Sequence, residues 1–194
     1  MSFDYHLFVQ INSLAGHVHL LDVFMLAFTR WGFLLYGLAL AALWFQRTRP
    51  EQRGLRRKGV LKVCFSAAIA LGLNQLIGLL YFRPRPFATH EVTLLLDRSP
   101  DPSFPSDHAT GASSVNASIM RVHKGWGILL TPLSLIIIFS RVYCGTHYPL
   151  DVVGGVATGL LGSHLANKLW PYMDGTADKV IALVEGFTRR SAGV

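Results

Sequence analysis

The stretch VLKVCFSAAIALGLNQLIGLLYF, residues 60–82, carries one lysine at its start and no other charge. At about 1.5 Å per residue a helix of that length crosses the ~30 Å hydrocarbon core of a bilayer. Working outward, residues 20–46, 125–143 and 149–170 form three further apolar blocks of similar reach. The chain of 194 residues is 51% hydrophobic and 15% charged, with a mean hydropathy of +0.38. Soluble domains carry about 25% charge, so this composition argues against a soluble globular protein. One all-α membrane bundle over residues 1–194 is expected, with a catalytic core at about 60–165 and a cytoplasmic tail at about 171–194.

Charge sets the orientation. The formal charge is +7, and seven of the 18 basic residues lie close together: Arg47, Arg49, Arg53, Arg56, Arg57, Lys58 and Lys62. Such a cluster between two spans reads as a cytoplasmic loop, here 47–59, under the positive-inside rule rather than as a nucleic-acid patch. Trp44, Trp126 and Trp170 then fall at the same interface, as an aromatic belt does. Residues 3–15 read as an interfacial helix. Spans follow at about 20–45 and 60–82, and residues 83–105 are irregular, with prolines at 84, 86, 100, 102 and 105. Residues 106–121 are too polar for a hydropathy test, but their Ala, Ser and Gly content suits a third span packed inside protein. The fourth and fifth spans are 125–143 and 149–170, with Gly155 and Gly159 marking a close-packing face. Beyond Pro171 a short amphipathic helix is expected. Cys64 and Cys144 fall at opposite ends of the bundle, which argues against a disulfide. No removable signal peptide is evident.

Three polar clusters interrupt the apolar blocks at one end: Arg83 to Phe87, Phe104 to His108, and Ser140-Arg141 with His147 and Asp151. Ionisable groups at membrane depth are costly and are functional by default. The residue types suit phosphoryl transfer. Arg85 and Arg141 present planar forks to phosphate oxygens, and Ser106 with the free N–H groups of a helix start adds donors. His147 and Asp151 are spaced i, i+4, so a carboxylate on one imidazole nitrogen can leave the other free to attack phosphorus. His108 can protonate the leaving oxygen. No carboxylate cluster suited to two metals occurs, so neither metal nor cofactor is expected. The blander readings are a snorkelling Arg141, structural histidines, and internal hydrogen bonding by Asn74 and Gln75.

These segments resemble the three-part signature of the type-2 phosphatidic acid phosphatase superfamily: Lys-x6-Arg-Pro, Pro-Ser-Gly-His and Ser-Arg-x5-His-x3-Asp. The third part is complete as SRVYCGTHYPLD, residues 140–151. The second is Pro105-Ser106-Asp107-His108, with Asp for Gly. The first keeps Arg85-Pro86, with Gly78 at the lysine position; the register on Arg83 meets Leu76 instead. The resemblance implies a phosphohistidine mechanism with His147 as nucleophile, Asp151 as its orienting carboxylate and His108 as general acid. Arg85, Ser106 and Arg141 resemble the phosphate binders.

The Phe-Pro-Ser-Asp-His and Arg-Pro-Phe forms resemble the bacitracin-resistance branch of undecaprenyl-diphosphate phosphatases. That branch regenerates the carrier lipid for peptidoglycan precursors on the periplasmic or extracellular side. It implies a polyprenyl diphosphate substrate, a plasma-membrane location and no obligate protein partner. Arg83 is expected to replace the missing lysine's charge at the phosphate. Asp107 is expected either to repel a doubly charged monoester or to cap its helix. Two competing functions are a phosphatase of another lipid (phosphatidylglycerol phosphate, phosphatidic acid or lipid A) and a non-catalytic lipid-binding protein.

Overall fold

The computed structural model describes residues 3–47 and 49–191, and the side chains of Pro50, Glu51 and 187–191 lie outside that description. The described residues form seven helices and no strand: α1 (Phe3–Asn12), α2 (His19–Phe45), α3 (Pro50–Leu80), α4 (Pro86–Thr89), α5 (Asp107–Val122), α6 (Lys124–Tyr143) and α7 (Pro149–Ser191). Three of them, His19–Phe45, Gln52–Leu80 and Lys124–Tyr143, are long and apolar enough to cross a membrane. Their outer faces are apolar and bare, with Trp31, Leu38, Leu76, Leu79 and Leu129 exposed.

α5 fails the hydropathy test and still sits at the centre of the bundle, packed by α3, α6 and α7. Lipid tails are as apolar as leucine, so helices inside a membrane associate through close packing and hydrogen bonds. The composition of α5 supplies both. Ala109, Thr110, Gly111, Ala112, Ser113 and Ser114 are all buried. Ser114 shares a hydrogen bond with Ser66 of α3 at 2.9 Å, and Ser118 one with Ser163 of α7 at 3.0 Å. At Gly155 a β-carbon would stand 2.6 Å from the Ser106 carbonyl, so only glycine lets α7 approach the start of α5. Large side chains fill the rest of the core: Tyr36, Val63, Ile119, Leu130, Leu133 and Ile137.

Two boundaries differ from the sequence reading. α3 begins at Pro50, so most of the basic segment at 47–59 is helix, not loop. Proline is favoured in the first turn of a helix, and arginine and lysine are good helix formers. α7 runs without a break through Pro171 to Ser191, so the expected separate tail helix is its extension. The two extensions lie side by side at the basic end. Lys58 binds Asp174 at 2.8 Å and Asp178 at 2.9 Å, and Arg57 pairs with Glu185. Arg57 also lies over Trp44, and Lys62 over Trp170.

The opposite end holds all three polar clusters. α1 lies there too, against α6 and α7. Phe8 is buried against Tyr148, while Asn12 donates to the Thr93 and Tyr143 carbonyls and accepts from Thr93 N–H. The short helix thereby ties the 81–106 connection to the end of α6.

Candidate active site

Three local features bring the clusters together. α6 ends at Tyr143, and Gly145 adopts φ +80°, the left-handed conformation that reverses a chain after a helix. The reversed turn carries His147 back under Arg141, with Thr146 Oγ1 donating to the Arg141 carbonyl at 2.8 Å. α7 then starts at Pro149, and the Asp151 carboxylate, in its first turn, accepts the Tyr148 N–H at 2.8 Å, closing the end in the manner of a capping box. Finally, Ser106 N–H donates to the Asp151 carbonyl at 3.0 Å, which docks the start of α5 on the start of α7.

His147 is buried, and its Nδ1 lies 2.7 Å from the Ser103 carbonyl. A carbonyl can only accept, so Nδ1 carries the proton and Nε2 keeps its lone pair. Burial, together with the positive charges of Arg141 and Arg85, holds the His147 imidazole well below its ordinary protonation range. The ring is therefore a neutral base with one free nitrogen. Asp151 is coupled to it indirectly: its Oδ2 is 3.9 Å from Nδ1, and accepts the Ser103 hydroxyl at 2.5 Å. The i, i+4 spacing does not bring the two side chains into direct contact because α7 begins only after His147.

A cavity of about 430 Å³ opens beside this pair, lined by Thr29, Arg85, Asp107, His108, Arg141 and His147, with Arg30 and the loop residues Leu96, Asp97, Ser99 and Asp101 completing it. Arg141 is buried. Its Nη1 donates to Thr29 Oγ1 at 2.6 Å, and its Nε has no partner among the described residues. The Ser106 hydroxyl, at the α5 N-cap, is likewise buried without one. Orphaned buried donors are costly. The Ser106 hydroxyl stands at the N-terminus of α5, and Arg141 and the buried Arg85 border the cavity; these are groups able to serve an oxyanion. Arg85 commits its Nε to the Asp101 carbonyl at 3.0 Å, and the rest of its fork borders the cavity. His108 bonds the Thr29 carbonyl through Nε2 at 3.1 Å, which leaves Nδ1 as its second nitrogen.

Arg83 and Asp107 are each held by side chains of other elements. Arg83 is not among the residues lining the cavity and bridges two carboxylates, Nη1 on Asp151 and Nη2 on Asp4, each at 2.6 Å. Its guanidinium also lies 4.2 Å from the centre of the Tyr148 ring. Burial pulls its proton affinity down, and the bonds and charges of Asp4 and Asp151 more than offset this. Asp107 borders the cavity but does not cap its helix; its Oδ1 accepts from Asn74 at 2.6 Å and Gln75 at 3.1 Å. Gly78, at the lysine position of the signature, packs against Pro102, whose ring would stand 3.2 Å from an added β-carbon.

Sequence reasoning missed Ser103, Thr29 and Asp4. The polar pair Thr29-Arg30 inside an otherwise apolar block was a usable signal. Asp4, which also accepts the Leu150 N–H at 2.9 Å, gave none.

Apolar helices around a buried histidine–arginine site at one end define a multi-pass membrane protein. The chain belongs to the PAP2 superfamily, whose family model matches residues 59–173. It is 33% identical over 192 residues, 96% of both chains, to "Undecaprenyl-diphosphatase BcrC" of Bacillus subtilis. It is 35% identical over 119 residues, 61% of this chain and 60% of the relative, to "Putative undecaprenyl-diphosphatase YbjG" of Escherichia coli. Among solved structures it is similar to Aquifex aeolicus LpxE, with a TM-score of 0.70 and 25% identity over 87% of this chain and 96% of that one.

Proposed function

We propose that this protein is an undecaprenyl-diphosphate phosphatase that works through a phosphohistidine. The observation that carries the reading is the neutral His147, its Nδ1–H held by the Ser103 carbonyl, lining one cavity with Arg85 and Arg141. Nε2 attacks the terminal phosphorus, and the bond from that phosphorus to the bridging oxygen breaks. His108 gives a proton to the departing prenyl phosphate, through Nδ1 if Nε2–H stays on Thr29. His108 then takes a proton from water, whose oxygen attacks the phosphohistidine. Inorganic phosphate leaves and His147 is restored. Arg85, Ser106 and Arg141 balance the charge on the transferred group.

The substrate assignment is supported by the two relatives whose names carry that activity, one aligned along nearly the whole chain. Five helices, α2, α3, α5, α6 and α7, then cross the bacterial plasma membrane with the basic end inside and the site facing the periplasm or cell exterior. There the reaction recycles the carrier lipid for peptidoglycan synthesis and confers bacitracin resistance.

The test is phosphate release by the purified protein from undecaprenyl diphosphate and from phosphatidic acid, with EDTA present. Preference for the diphosphate, abolished by His147→Ala, is expected. Preference for phosphatidic acid overturns the substrate, and loss of activity in EDTA overturns the mechanism. Release from neither lipid returns the protein to a binding role.

A further inference from the structure

The family match covers residues 59–173, and one cavity wall comes from outside it: Thr29 and Arg30 of α2. Thr29 is spoken for, since it holds Arg141 and His108. Arg30 is not. It is the only lysine or arginine in the 27 residues of α2, it is exposed, and no ion pair among the described residues involves it. An unpaired arginine within a membrane helix is costly and is functional by default.

Its position also has a direction. Around Arg30, α2 bares Trp31, Leu34 and Leu35, so this wall of the cavity adjoins the lipid-facing surface. Arg85, Ser106 and Arg141 already serve the phosphate that His147 attacks. A lipid diphosphate has a second phosphate, the one bonded to the chain, and it must lie where the chain leaves the cavity for the membrane.

We propose that Arg30 binds this chain-linked phosphate and thereby selects diphosphate over monophosphate lipids. The inference rests on the diphosphatase reading above. Arginine suits the task because its fork can grip two oxygens of one phosphate. To react, a monophosphate lipid must place its only phosphate at His147, where Arg30 gains nothing; bound as the product of the diphosphatase reaction, undecaprenyl phosphate instead keeps its phosphate at Arg30.

The test compares wild type, Arg30→Gln and Arg30→Lys in detergent. Two readouts are taken: kcat/KM on undecaprenyl diphosphate, and competitive inhibition by undecaprenyl phosphate and by inorganic phosphate. A charge-assisted contact of this kind is worth roughly 10- to 100-fold. Arg30→Gln is expected to lower kcat/KM by that factor and to weaken inhibition by undecaprenyl phosphate, leaving inhibition by inorganic phosphate within about twofold. Lysine, which keeps the charge without the fork, should restore part of the loss. Equal weakening of both inhibitors would assign Arg30 to the attacked phosphate or to general integrity, and overturn the proposal. No change in either readout would make it a snorkelling residue, and overturn it too. If wild type itself fails on the diphosphate, the failure belongs to the functional reading and not to Arg30.

Discussion

Ser103 stands between His147 and Asp151, giving its carbonyl to the imidazole and its hydroxyl to the carboxylate. The tautomer of His147 is thus fixed by backbone, and Asp151 acts on it through a third residue. Asp151 has a second duty, since it closes the start of α7 and receives Arg83. A carboxylate that binds three groups beside His147, the Ser103 hydroxyl, the Tyr148 N–H and Arg83, positions a whole corner of the site.

This predicts that Ser103→Ala keeps a functional enzyme. The carbonyl that selects the tautomer survives the substitution, and only one hydrogen bond to Asp151 is lost. A net cost of about 1–1.5 kcal/mol translates to roughly tenfold in kcat, with KM little changed. Asp151→Asn should cost far more, because Arg83 and the α7 start lose their charged partner. Steady-state kinetics on both variants decide it; equal losses would show that Asp151 acts only through the Ser103 hydroxyl and that its bonds to Arg83 and the α7 start add nothing.

For Arg83 the two possible roles separate cleanly. As a phosphate ligand, its removal would raise KM and spare stability. As the bridge observed, Arg83→Ala leaves Asp4 and Asp151 buried without their cation, an imbalance that costs about 3–5 kcal/mol in comparable buried pairs. Arg83 is itself partly exposed, so the lower end is expected. Adding Asp4→Asn should recover part of the loss, since one uncompensated charge disappears. Thermal unfolding in detergent of the two single variants and the double variant measures this coupling.

The sequence put Arg83 at the phosphate in place of the signature's missing lysine. Its actual partners are 79 and 68 positions away, in α1 and α7. The polar clusters, the ends of their spans and the small-residue character of α5 were legible because each is local: a run of apolar residues, a motif, a composition. Ser103 in its proline-rich loop and Asp4 at the N-terminus carry no such local mark. Their roles exist only once α1, the 81–106 connection and the turn after α6 are brought to the same end.

Asp107 gives a prediction of opposite sign. Its negative charge borders the oxyanion seat, and it is kept in place by Asn74 and Gln75. Asp107→Asn preserves an oxygen that can accept from both amides while removing the charge. One repulsive interaction between unit charges at an intermediate effective dielectric is worth up to roughly 1–2 kcal/mol. Competitive inhibition by inorganic phosphate should therefore tighten several-fold. Weaker inhibition would mean that the carboxylate orients the seat more than it repels the anion. Asp107→Gly, the residue of the superfamily pattern, removes the acceptor as well and should combine relief of repulsion with loosening of the α3–α5 contact.

The acid side of the pH profile tests the nucleophile itself. As the proposed nucleophile, His147 attacks only when unprotonated, and burial with Arg141 and Arg85 nearby holds its pKa well below the ordinary histidine value. A lowered pKa keeps the neutral form down to lower pH. The acid limb of kcat/KM, which reports the free enzyme, should therefore fall well below pH 6.5. Substrate phosphates titrate in the same region, so the profile is best taken from about pH 4.5 to 8 on both undecaprenyl diphosphate and phosphatidic acid. A limb shared by the two lipids belongs to the enzyme. If that shared limb stands at or above the ordinary histidine value, His147 is protonated in the resting site and the covalent step needs another base.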